Sequence, residues 1–154
     1  MTPSAVVHTN EHVTPYDSDR GSWQAAPSGR QGRILLVEDD FAVRRTLAEV
    51  LIDEGYDVDC AANGAEAVLN LGSSPIKPRV IILDLWMPYM DGLEFRALQR
   101  RLPSMADIPV IVITAGGLSV SVAEGLGLTC ALRKPLNLED LLSNIEKLAL
   151  PASS

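Results

Sequence analysis

Cysteine and histidine are scarce in this chain of 154 residues, with two of each, and basic residues are outnumbered by acidic ones, 13 against 20. Cys60 and Cys130 have neither CxxC spacing nor histidine neighbours. That disfavours a zinc site or a dithiol motif and makes a reduced compartment the default. No run of eighteen apolar residues occurs, and the amino terminus lacks the charged start and apolar stretch of a secretory signal. The expectation is a soluble, cytoplasmic protein with no membrane partner. A net charge of −7 disfavours broad electrostatic contact with DNA, so no direct nucleic-acid partner is expected. Internal repeats and low-complexity stretches are also missing. What the chain does have is 47% hydrophobic residues, enough for the core of one ordinary domain.

The pattern changes near residue 32. Residues 1–32 mix Pro, Ser and other polar residues without sustained periodicity, the composition of a mobile tail, with Trp23 as the one large apolar anchor. From Arg33 onward, short apolar runs alternate with segments of helical spacing. "RILLV" (33–37), "YDVDCA" (56–61), "VIIL" (80–83), "PVIVIT" (109–114) and "LTCAL" (128–132) read as five strands. Between them, Val43, Leu47, Val50 and Leu51 line a helical face after a cap at Asp40, and residues 63–71 and 93–102 form two further helices. Leu138, Leu141, Leu142, Ile145 and Leu148 line a last one after Asn137. The segment between strands four and five carries Gly116, Gly117 and Gly125, so its helix should be short, frayed or displaced.

Five β/α units in this span predict a flavodoxin-like (βα)5 α/β fold, a doubly wound parallel sheet of order 2-1-3-4-5 in residues 33–150, with 151–154 as a short tail. In such sheets ligands gather beyond the carboxyl ends of the strands, where the winding reverses between strands 1 and 3. Glu38 and Asp39 follow strand 1, Asp84 follows strand 3, Thr114 ends strand 4, and Lys134 follows strand 5. Any one of the acids alone would be an ordinary turn residue or cap. Together they pose an electrostatic problem. Two carboxylates about 5 Å apart repel by roughly 3 kcal/mol at an effective dielectric near 20, and three do so pairwise. Lys134 supplies one positive charge; clustered oxygen ligands suit Mg2+, with Mn2+ as an alternative and a structural Ca2+ as the competing metal reading, for which EF-hand spacing is lacking. With a divalent cation in place, a carboxylate can attack a phosphoryl group and become an acyl phosphate.

"ILLVEDD", "LDLWMPYMDG", "VIVITA" and "LRKP", in that order, resemble the signature segments of the receiver domain of two-component response regulators. The resemblance implies that Asp84 is the phosphoacceptor, Asp39 a direct Mg2+ ligand and Glu38 an acidic partner acting directly or through water. It further implies that the backbone carbonyl of Trp86 is a ligand, that Thr114 bonds a phosphoryl oxygen, and that Lys134 pairs with the phosphate. Asp40 matches no site position, and a cis bond before Pro135 is frequent in the family. The implied partners are a sensor histidine kinase or histidine phosphotransfer protein as donor and a downstream effector protein. A homodimer through the fourth and fifth helices is a further option.

Two departures stand out. Position 131, where many receivers carry an aromatic residue that rotates on phosphorylation, is Ala131, and Trp86 occupies the position bordering the entry to the phosphoryl group. Its indole either shields the acyl phosphate from water or packs on the surface. His8 and His12 read as tail residues, the cysteines as small buried hydrophobes on opposite sheet edges, and Arg96, Arg100 and Arg101 as a solvated helix face. With four residues after the last helix, no output domain is expected, and output falls to contact with another protein. The chain is not expected to be an enzyme beyond its own phosphoryl transfer and dephosphorylation. Three other classes compete. A haloacid-dehalogenase-type phosphohydrolase wants a second Asp where Trp86 stands; a flavodoxin would not present "EDD" to a phosphate; a degenerate pseudo-receiver would act only as an interaction module.

Overall fold

The computed structural model describes residues 31–128 and 130–149. Trp23, His8, His12, the assigned tail up to residue 30 and residues 151–154 lie outside them. Ten elements alternate along the chain: β1 (Arg33–Val37), α1 (Phe41–Asp53), β2 (Asp57–Ala61), α2 (Gly64–Ser73), β3 (Val80–Asp84), α3 (Gly92–Arg101), β4 (Val110–Thr114), α4 (Val120–Gly125), β5 (Cys130–Arg133) and α5 (Leu138–Ala149). The strands form one parallel sheet of order β2-β1-β3-β4-β5, the flavodoxin-like arrangement expected. Winding reverses between β1 and β3.

The continuous apolar strands follow from burial on both faces. Because successive side chains point to opposite sides, Ile34 and Leu36 of β1 join Ile82, Ile111 and Ile113 against α1 and α5. Leu35 and Val37 join Ile81, Leu83, Val110 and Val112 against α2 and α3, around Phe95. Each fully buried large aliphatic side chain contributes on the order of 1.5–3 kcal/mol.

Helix starts follow local chemistry. Asp40, Asn63, Asp91 and Ser119 each accept a hydrogen bond from the backbone N–H three residues on, which satisfies one otherwise unpaired helical donor. Asn137 does the same for Asp140 at 3.1 Å. The bond between Lys134 and Pro135 is cis.

Several expectations shift. β3 runs one residue further, to Asp84, because Asp84 stays in register with Ile113 and the next amide, Leu85 N–H, still donates to the Ile113 carbonyl at 3.2 Å. β4 begins at Val110 because Pro109 has no N–H for the ladder. β5 begins at Cys130, not Leu128, because the Leu128 N–H is spent on the Ala123 carbonyl at 3.0 Å to close α4. On α1 the inward residues are Arg44, Leu47, Ala48 and Leu51. Val43 is exposed, so the face read from the aliphatic residues alone is rotated. Leu138 of α5 is exposed too, while Leu141 and Ile145 are fully buried. α4 is the shortest helix described and has no buried residue. Cys60 is buried and Cys130 half-buried, on β2 and β5 at opposite edges, and no disulfide joins them.

Close packing at the end of β3 demands a glycine. A Cβ added at Gly92 would sit 2.5 Å from the Asp84 carbonyl oxygen and 2.8 Å from the Leu85 Cα, backbone atoms that cannot swing away. Gly92→Ala should therefore cost about 1–3 kcal/mol of unfolding free energy, measured by urea denaturation; unchanged stability would refute this close approach.

Candidate functional site

The site is assembled from strand ends. β1 stops at Val37, and Glu38 remains attached to the sheet by its N–H, which donates to the Ala61 carbonyl at 3.0 Å. Asp39 turns outward at the entrance to α1. Asp84, the last residue of β3, is 5% exposed, and Glu38 is 2% exposed. One carboxylate oxygen from each of Glu38, Asp39 and Asp84 lies within 4.8 Å of the others. Among the described residues this is the one such acidic or metal-ligating cluster.

Lys134 leaves the end of β5, and its backbone N–H donates to the Thr114 carbonyl at 2.9 Å. Its ammonium reaches Glu38 Oε1 at 3.0 Å and Asp84 Oδ2 at 3.4 Å. Thr114 is buried at the tip of β4, one position beyond Ile113, the register partner of Asp84. Trp86 donates its backbone N–H to Asp84 Oδ1 at 3.3 Å, while its side chain is 58% exposed. All six expected site residues thus come from loops or strand ends on one rim.

Electrostatics match the crowding. Burial and then the neighbouring Asp84 carboxylate push the Glu38 carboxyl above its ordinary range, against the pull of Lys134. Partial desolvation and the adjacent Glu38 raise Asp39 as well. Desolvation, the largest single influence on Lys134, opposes its charge, but Glu38 and Asp84 together outweigh it and leave the ammonium harder to deprotonate than usual. Three carboxylates against one ammonium leave an excess of negative charge at the rim. Hard oxygen donors in that number and spacing fit Mg2+, which takes one or two carboxylates plus carbonyl, water and phosphate oxygens.

A residue not anticipated completes the arrangement. Arg44 is buried, and its guanidinium donates to the Glu38 carbonyl at 2.6 Å and the Asp39 carbonyl at 3.3 Å while lying 5.4 Å from the Phe41 ring centre. It fixes the backbone that aims both acids. Its position at helical spacing from Leu47 and Leu51 is the signal that could have found it. Asp40, as expected, is a cap: its carboxylate accepts from Val43 N–H at 3.0 Å. The basic cluster on α3 is not a solvated face throughout. Arg96 is buried and bonded to the Leu126 and Gly127 carbonyls at 3.0 and 3.1 Å, and exposed Arg100 reaches the Gly125 carbonyl at 2.6 Å.

The family model of the response regulator receiver domain matches residues 34–146. A curated relative from Porphyra purpurea, named as the probable transcriptional regulator ycf29, is 38% identical over 117 residues, covering 75% of this chain and 55% of its own. The chain spans about half the length of the curated relatives it matches. Among solved structures, the chemotaxis protein CheY4 of Vibrio cholerae superposes with a TM-score of 0.69 at 30% identity, covering 75% of this chain and 97% of that one. The response regulator TrrA of Thermotoga maritima, solved in complex with Mg2+-BeF, gives 0.66 at 33% identity with the same coverages. No helix among the described residues is long and apolar enough to cross a membrane.

The raised carboxyl values carry a stability prediction. A group whose folded-state value lies above its unfolded one favours the folded state below the unfolded value, and that contribution is lost as pH rises through the folded value. In divalent-free buffer, Asp39→Asn should therefore gain stability over the unsubstituted chain on going from pH 4.5 to pH 7.5, values spanning about the ordinary carboxyl range and above. Urea unfolding at both pH values measures the difference; a gap that does not widen would refute the mutual repulsion.

Proposed function

The chain belongs to the response regulator receiver family of two-component systems, and from that premise we propose that it is a phosphoacceptor module that takes a phosphoryl group on Asp84 from a protein histidine. The observation that carries this reading is the convergence of three carboxylates within 4.8 Å, two of them bridged by the Lys134 ammonium at 3.0 and 3.4 Å.

In the proposed transfer, an Asp84 carboxylate oxygen attacks the phosphorus of a phosphohistidine. The P–O bond forms as the P–N bond breaks, and the imidazole nitrogen leaves with the electron pair. Lys134 exchanges part of its pairing with Asp84 for the incoming phosphoryl oxygens, and the Thr114 hydroxyl donates to one of them. Glu38, Asp39, Asp84 and the Trp86 carbonyl would hold Mg2+, or Mn2+ in its place, which when bound supplies positive charge opposite the equatorial oxygens. Arg44 keeps the first two acids in position. Hydrolysis reverses the state: water attacks phosphorus, inorganic phosphate departs and the carboxylate is restored. Output is protein contact altered by this cycle, with a histidine kinase or phosphotransfer protein as donor and an effector as listener. The net charge of −7 supports a protein listener over broad contact with nucleic acid.

Phosphohydrolase chemistry of the dehalogenase type is disfavoured because its second acid would fall at Trp86, which is exposed and has no acidic group to offer. Incubation with Mg2+ and a small phosphodonor such as acetyl phosphate, followed by intact mass measurement, tests the proposal. One acid-labile adduct of a single phosphoryl group is expected, absent from Asp84→Asn. No adduct, or an adduct that survives the substitution, would favour a degenerate pseudo-receiver or another acceptor.

A further inference from the structure

Two departures from the apolar pattern meet at one place. Val43 of α1 and Leu138 of α5 fall on the hydrophobic stripes of their helices in the sequence, yet they are 37% and 42% exposed. Both line a groove of about 490 Å3 between the first turns of α1 and the chain that joins β5 to α5, together with Leu47, Pro135 and Leu136. Lys134 borders it, but its ammonium is taken by Glu38 and Asp84. The lining therefore offers an occupant apolar contact and no unpaired charge. A concavity of that size takes one large aromatic side chain and its neighbours.

The chain supplies such an occupant close by. Residues 1–30 lie outside the described structure, which begins at Gln31, whose N–H donates to the Gly55 carbonyl at 3.2 Å just past the end of α1. The segment is thus tethered at the foot of the helix that walls the groove. Leu47 and Val43 lie about 12 and 18 Å up that helix at 1.5 Å per residue, whereas the eight steps from Trp23 to Gln31 reach up to about 26 Å when extended. Because α1 and α5 pack on the same face of the sheet, the route stays on one side of the molecule. Trp23 is the bulkiest apolar side chain before Gln31, and residues 21–29, "GSWQAAPSG", carry no charge to strand in an apolar groove. Attachment through so short a linker holds the indole at an effective concentration on the order of millimolar, which favours it over a second copy or a free partner offering similar contacts.

We propose that residues 21–27, anchored by Trp23, dock in the groove between α1 and the β5–α5 connection of their own chain and cover Val43 and Leu138. The segment then lies beside Lys134 without crossing the carboxylates, so a small phosphodonor still reaches Asp84, while a macromolecule seeking this face has to displace it. That consequence, unlike the contact itself, rests on the phosphoacceptor reading of Asp84.

Methyl-labelled NMR on the full chain tests the docking. Cross-relaxation peaks are expected from the Trp23 indole protons to the Val43, Leu47 and Leu138 methyls. Trp23→Ala should shift those methyls and leave in place those of Leu69 and Val120, which are exposed on other elements. Val43→Glu combined with Leu138→Glu, both at exposed positions, should abolish the peaks. Absent peaks with groove methyls unmoved by Trp23→Ala would overturn the docking, as would contacts that place the indole on another face. Peaks that arise only between labelled and unlabelled chains in a mixed sample would make a second copy the occupant and overturn it too. Acetyl phosphate should load Asp84 at equal rates in the unsubstituted chain and in Trp23→Ala, read by intact mass; a faster rate in the variant would put the segment across the rim and overturn its place in the groove. A protein that takes no phosphoryl group overturns the phosphoacceptor reading, and the cross-relaxation peaks then decide the docking alone.

Discussion

The structure depends on placing like charges together where the sheet changes its winding. Glu38, Asp39 and Asp84 cannot crowd within 4.8 Å unless the strands behind them are rigid, and the apolar ladders of β1 and β3 provide that rigidity with side chains fully buried on both faces. Repulsion is then relieved in parts. Lys134 bridges two of the acids, Arg44 draws on the carbonyls beneath two of them, and a divalent cation fits the remainder.

Glycine marks the tolerances. Gly92 lets α3 start against the Asp84 carbonyl, and Gly64 lets α2 start against Met90, whose carbonyl accepts the Gly64 N–H at 2.9 Å. The loop carrying Trp86 is therefore pinned at both ends, and Tyr89 within it adopts φ 67°, an uncommon conformation for a bulky residue. On the far side of Asp84, the chain after Thr114 is the opposite: exposed, glycine-rich and leading into a helix without a buried residue. Closely packed Asp84 and the exposed, glycine-rich chain after Thr114 thus leave neighbouring strands.

Strand order and the rim residues were legible because apolar runs end abruptly on acids, a hydroxyl and a lysine, and because those ends must meet in a parallel sheet. Asp40 was legible as a cap from its place just before a periodic segment. The buried arginines were not. Reasoning that treats charge as a marker of the surface assigns Arg96 outward and passes over Arg44, whereas both are buried and spend their guanidinium donors on backbone carbonyls. The same habit rotated α1 toward Val43. The start of β5 was misread for a different reason: Leu128 looks like strand material, but closure of α4 at Gly127 uses its N–H first.

Isothermal titration of the divalent-free chain with Mg2+ tests the central claim most directly, that crowded carboxylates at the strand ends form one cation site. The account predicts a single ion per chain, with binding abolished or severely weakened in Asp39→Asn. No uptake of Mg2+, or uptake indifferent to that substitution, would contradict it.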